Sequence, residues 1–113
     1  MQMVSDPSNR QLELAAEMLK ALADPHRLRV MMRLAHGEMN VSQLAELDKE
    51  KITTMSARLK ILLTARLLNR RRVGQTAVYS IADTHVLNLV GNAIEHACKE
   101  AHTKATRKER KPS

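Results

Sequence analysis

The chain has 113 residues, enough for one domain whose modest core an oligomeric contact would enlarge. Its longest apolar runs, such as Ile61 to Leu63, fall far short of a bilayer span, so neither a transmembrane helix nor a signal peptide is expected. A single cysteine, Cys98, excludes an internal disulfide framework and fits a reducing cytoplasm.

Charge is unevenly placed. The net value is +7, yet residues 1 to 48 carry five Arg/Lys against seven acids, so the excess of cations lies beyond them. A basic half of this size points to a polyanion, because Lys and Arg displace counterions condensed along phosphates. One Tyr and no Trp or Phe leave no platform for stacking unpaired bases, which favours duplex DNA over single strands. No glycine-rich phosphate loop or nucleophile paired with a base is present, so an enzyme is not expected.

In chain order, Leu12, Ala15, Ala16, Leu19 and Leu22 repeat at helical spacing and predict a first helix. Asp24 caps a second, with Pro25 in its first turn, an apolar stripe of Leu28, Met31, Met32 and Ala35, and Gly37 at its end. Ser42 is the expected cap of a short third helix through Leu47, and a fourth begins near Ile52. The pair reads as a helix-turn-helix. On the fourth helix Ile52, Met55, Leu59, Leu62 and Leu63 share one face, leaving Thr53, Thr54, Ala57 and Arg58 outward and Ser56 on the border.

From Asn69 the helical period stops. Arg70 to Val73, Gly74-Gln75 and Thr76 to Ile81 predict a hairpin with a glycine-first turn, and helix followed by β-ribbon is the order of a winged helix. Asp83 caps a last helix to about His102, and residues 103–113 read as a disordered basic tail, so the domain is expected over residues 1–102. The fold class is therefore mainly α with a small β-hairpin.

A major groove roughly 12 Å wide admits one helix with short polar side chains. Thr53, Thr54, Ser56 and Ala57 meet that requirement, and Arg58 is the leading candidate for a guanine contact. Arg70, Arg71, Arg72 and Gln75 on the wing are expected to touch the flanking backbone or minor groove and to act mainly on affinity.

The last helix carries a second pattern. His85 and His96, eleven residues apart, return to nearly the same face but lie about 16 Å apart along the axis, too far to share one ion held at about 2 Å. Two copies crossing antiparallel would set Asp83 and His85 of one chain against His96 and Glu100 of the other, with Gly91 midway between the donor groups. Leu87, Leu89, Val90, Ile94 and Ala97 would supply apolar area around that crossing.

The stretch from Ala21 to Val30, the run Met55-Ser56-Ala57-Arg58-Leu59-Lys60 and the Gly74-to-Tyr79 wing together resemble the ArsR/SmtB family of metal-responsive repressors, from about residue 12 to residue 100. The resemblance implies a homodimeric winged helix that binds operator duplex DNA until an inducer loosens its hold. One branch of the family carries an Asp-x-His…His site on this helix, which Asp83, His85 and His96 match. The chain departs from the family in several places. Ala57-Arg58 stand where a pair of histidines is usual, Ala65-Arg66 stand where a glycine precedes Leu67-Leu68, and Lys99 replaces the acid or histidine three residues after the second histidine. Paired cysteines near Glu38 to Leu44 are absent, Met39, Asn40 and Ser42 standing there.

Glu100 is the expected fourth ligand, with His102 or Cys98 as alternatives, and zinc is the expected ion, with cobalt or nickel after it. A rival scheme keeps DNA binding without metal and makes Cys98 a redox trigger.

Overall fold

The computed structural model describes the backbone of residues 6–109 and the side chains of residues 6–102. Helix α1 (Asn9–Leu22) starts at a reciprocal cap: Ser8 Oγ accepts from the Gln11 backbone N–H, and Gln11 Oε1 accepts from that of Ser8. Asp24 then accepts from the Arg27 backbone N–H at 3.0 Å, with Pro25 at the first helical position, and opens α2 (Pro25–Ala35).

Strand β1 (Met39–Asn40) leads directly into α3 (Val41–Asp48). The cap of α3 is Asn40, not Ser42 as the sequence suggested. Asn40 has Gln43 three residues on to complete a reciprocal pair, whereas the same position after Ser42 is Ala45, which has no side-chain acceptor to return.

Two helices end alike. After α3, Lys49 takes a left-handed conformation (φ 53°, ψ 47°), its N–H meets the Glu46 carbonyl and that of Glu50 meets the Ala45 carbonyl at 2.9 Å. After α4 (Ile52–Thr64), Arg66 sits at φ 65°, with Arg66 N–H on the Leu63 carbonyl and Leu67 N–H on that of Leu62, both at 3.0 Å. These paired bonds turn the chain sharply while satisfying carbonyls at each helix end.

Strands β2 (Leu68–Val73) and β3 (Thr76–Ile81) form the expected hairpin, closing at Val73 and Thr76 across a turn with positive φ at Gly74. Strand β1, not expected from the sequence, pairs antiparallel with β3 through Met39 and Tyr79 and completes a sheet of order β1-β3-β2. Helix α5 (Thr84–Glu109) begins where Asp83 Oδ1 accepts from the Val86 N–H at 2.9 Å.

The expected end of α5 near His102 is corrected. The helix continues through residues 103–109, a stretch of Ala, Lys, Arg, Thr and Glu with no glycine or proline to stop it. Of the tail expected to be disordered, residues 110–113 lie outside the described part.

The core gathers Val30, Met31 and Leu34 of α2, Leu44 and Ala45 of α3, Met55, Leu59 and Leu62 of α4, Leu67 and Leu68, and Val90 of α5. The stripe expected on α2 is out of phase. Met31 is buried and Leu28 packs at the core's edge, but Met32 and Ala35 are exposed and line a groove of about 250 Å³ against α5. Helix α2 has two apolar edges, and Val30 and Leu34 turn the other one inward.

On α4 the buried stripe is Met55, Leu59 and Leu62, with Leu63 partly buried. Ile52, a turn ahead of that stripe at the first helical position, is exposed rather than inward.

Candidate DNA interface and metal donors

Helix α4 follows α3 after the three-residue turn Lys49 to Lys51, and two ion pairs flank that turn. Arg33 Nε of α2 donates to Asp48 Oδ1 at 2.9 Å, and Arg58 Nη2 of α4 donates to Glu50 Oε1 at 3.3 Å. Each side of the turn is thus tied to a neighbouring helix by an arginine.

On the outer side of α4, Thr53, Ser56 and Ala57 are exposed and Thr54 is half-buried. Arg58 departs from expectation. Its side chain is 15% exposed and the carboxylate of Glu50 is 29% exposed, so the guanidinium lies along the protein surface beside its partner rather than projecting outward. The cause is position: Arg58 follows the buried Met55 by three residues and precedes the buried Leu59, at the edge of the core-facing stripe. Lys60, one turn beyond Ser56 and two beyond Thr53, is exposed on the same side. The period that groups those residues also places Lys60 with them, a signal present in the sequence.

The wing carries Arg70, Arg71, Arg72 and Gln75, all exposed. Alternation along β2 turns Arg70 and Arg72 to one side and Arg71 to the other. Arg71 makes a two-pronged contact with Glu38, Nε to Oε2 at 3.1 Å and Nη2 to Oε1. The hydrogen bonds from Arg71 hold the Glu38 carboxyl below its ordinary value, and the same contact raises Arg71. Arg72 Nη1 donates to the Gln75 carbonyl at 3.4 Å, bracing the turn. Glu38 and Glu50 did not stand out in the sequence, since neither shares a helical period with its arginine.

Helix α5 displays its donors in two groups. Asp83 Oδ1 lies 3.8 Å from His85 Nδ1, and His96 Nε2 lies 3.9 Å from Glu100 Oε1, with all four side chains exposed. Among the described residues no three potential ligands of one chain come together. Glu100 is a turn beyond His96 on the same face, whereas Cys98 and His102 are rotated from His96 by about 160° and 120°. The apolar positions between the donors divide differently from expectation: Val90 is buried and Ile94 partly buried in the chain's own core, leaving Leu87, Leu89 and Ala97 exposed.

Leu12 and Leu19 of α1 are also exposed, and a groove of about 430 Å³ runs between α1 and α5, lined by Met18, Leu19, Leu67, Val86 and Leu89 among others. No helix among the described residues is long and apolar enough to cross a membrane.

No family model matches the chain. Curated relatives do. It is 44% identical over 86 residues to a transcriptional repressor SmtB homolog of Synechocystis sp., a match covering 76% of this chain and 65% of that protein. The chain thus spans just under two thirds of that relative. It is 38% identical over 82 residues to the HTH-type transcriptional regulator NmtR of Mycobacterium tuberculosis, covering 73% of this chain and 68% of that protein.

Among solved structures, the homodimeric winged helix-turn-helix DNA-binding domain of Mb0332 from Mycobacterium bovis superposes with a TM-score of 0.78 at 33% identity. That match covers 88% of this chain and 92% of that one. NolR from Sinorhizobium fredii matches with a TM-score of 0.69 at 33% identity, covering 84% and 95%.

Proposed function

Since this chain belongs to the ArsR/SmtB family of winged helix-turn-helix transcriptional regulators, we propose that it is a homodimeric repressor whose hold on operator duplex DNA is weakened by a divalent metal at α5. The observation that carries the metal reading is the display of two imidazole-carboxylate pairs on exposed faces of one helix, Asp83 with His85 and His96 with Glu100.

The donor chemistry fits zinc or cobalt. Carboxylate and neutral imidazole are their ordinary ligands, and each pair sits close enough to serve one ion. Four ligands need both pairs, and the helix rise keeps the pairs of one chain about 16 Å apart. Asp83 and His85 of one chain and His96 and Glu100 of a second would therefore share a site, with the two α5 helices antiparallel and crossing near Gly91. When bound, the ion supplies a link between two chains.

The chain's own residues do the rest. Exposed Leu19 and Leu89 at the α1–α5 groove, Leu87 at the α2–α5 groove and Leu12 on α1 give a second copy apolar surface to cover. Thr53, Ser56 and Ala57 face the major groove, with Thr54 and the Glu50-bound Arg58 at the edge of that face, and Arg70, Arg72 and Gln75 hold the flanking backbone, joined by Arg71 when phosphate replaces Glu38. Linking both α5 helices favours a spacing of the two α4 helices that suits the operator less well, and such linkage commonly amounts to about 5–150-fold in affinity.

The test is fluorescence anisotropy of a duplex selected by the chain from a random library, with and without zinc, cobalt or nickel. Metal should weaken binding for wild type and have no effect on His96→Ala. Weakening by oxidant instead of metal, abolished in Cys98→Ser, would favour the rival reading through the exposed thiol of Cys98.

A further inference from the structure

Two arginines of the candidate DNA interface, Arg58 on α4 and Arg71 on β2, are each held by a carboxylate that flanks α3. The two pairs differ in burial. Arg71 and Glu38 are 60% and 43% exposed, so a phosphate oxygen can replace Glu38 with little loss of solvation. Arg58 and Glu50 are 15% and 29% exposed, and separating them would leave a part-buried carboxylate unpaired.

The backbone at Glu50 is itself fixed. Its N–H closes the turn on the Ala45 carbonyl at 2.9 Å, and Asp48, two residues earlier, is tied to Arg33 of α2. The backbone that carries the carboxylate is therefore anchored to α3, while Arg58 rides on the second turn of α4. A guanidinium is planar with five N–H donors, and one of them is aimed at Glu50 Oε1. Fixing one donor of a rigid plane restricts where the others point.

We propose that Glu50 is a positioning residue for sequence recognition, holding Arg58 in an orientation from which its other donors meet a base edge. Glu50 thus acts on discrimination between sequences more than on overall affinity. This rests on the reading of α4 as the DNA-reading helix. Simple electrostatics gives the opposite expectation, because removing an acid near a polyanion should tighten binding to every sequence.

The experiment measures the affinity of the full chain for a duplex it selects from a random library and for a scrambled duplex, at one salt concentration. The variants are Glu50→Gln, Glu50→Asp, Arg58→Ala and the Glu50→Gln/Arg58→Ala double, each checked for folding by its thermal melt. Glu50→Gln should lower the selected-to-scrambled affinity ratio about tenfold while moving the scrambled affinity by no more than about twofold. Glu50→Asp, which keeps the charge but retracts it by one methylene, should lower the ratio too. In the Arg58→Ala background Glu50→Gln should have no further effect.

An unchanged ratio, affinities for both duplexes rising together, or both falling in step with the melting point would overturn the inference while leaving DNA binding intact. Failure of wild type to enrich any duplex would instead contradict the DNA-binding reading, and the inference would fall with it.

Discussion

Arg33 and Asp48 join the last turn of α2 to the last residue of α3, the guanidinium Nε donating to Asp48 Oδ1 at 2.9 Å. The Asp48 side chain is 4% exposed, and its second oxygen, Oδ2, is buried without a hydrogen-bond partner among the described residues. A carboxylate in that setting depends on its one charged partner.

Replacing it should therefore be costly. Asp48→Asn keeps an acceptor for Arg33 but removes the charge and can turn an amide N–H₂ into the pocket that Oδ2 occupies. A loss of about 1–3 kcal/mol is expected, read as a lower urea midpoint with unchanged slope at fixed protein concentration. An unchanged midpoint would show that the pair adds nothing to the fold.

The left-handed residues at the ends of α3 and α4 make a prediction of opposite sign. Lys49 and Arg66 bear side chains at φ 53° and 65°, where a Cβ crowds the following carbonyl. Lys49→Gly and Arg66→Gly should each stabilise the chain by about 0.5–1 kcal/mol, the relief exceeding the added freedom of the unfolded chain. The double variant should show the sum, since the two turns are separate.

Acid should loosen the wing's anchor. Hydrogen bonds from Arg71 hold Glu38 below its ordinary value of 4.5, and the Arg27 backbone N–H holds Asp24 below 3.8. A carboxyl lowered in the folded chain contributes stability that is complete above its unfolded value and is lost as pH falls through the folded one. Wild type should thus melt at a higher temperature than Glu38→Gln at neutral pH, and the difference should shrink as pH drops below 4.5. Melting curves across that range decide it; a difference independent of pH would contradict the assignment.

Where local chemistry decides, the sequence could be read. Asp24-Pro25 and Asp83 mark helix starts because a short carboxylate meets a free N–H three residues on, and Gly74 marks the hairpin because its φ is positive. Strand β1 escaped because two residues have no period, and their partners, Tyr79 and Val78, lie far along the chain beyond α3 and α4. The burial of Arg58 escaped because a long side chain at the edge of a helical face can turn either way, and its partner stands in the preceding turn. Val90 and Ile94 could not be separated from Leu87 and Leu89, since a helix apolar on two edges does not reveal which one its own chain covers.

In the proposed dimer, donors distant along α5 meet only between chains, and complementation probes that arrangement. His85→Ala and His96→Ala are each titrated with cobalt, read by its ligand-field absorption, and then unfolded together, refolded as an equal mixture and titrated again. Each variant alone should lack the wild-type band, while the mixture should regain about a quarter of it, because a mixed dimer rebuilds one intact site from the unaltered halves of its two chains. A mixture that stays as silent as its components, with mixed dimers shown to have formed, would contradict the shared site.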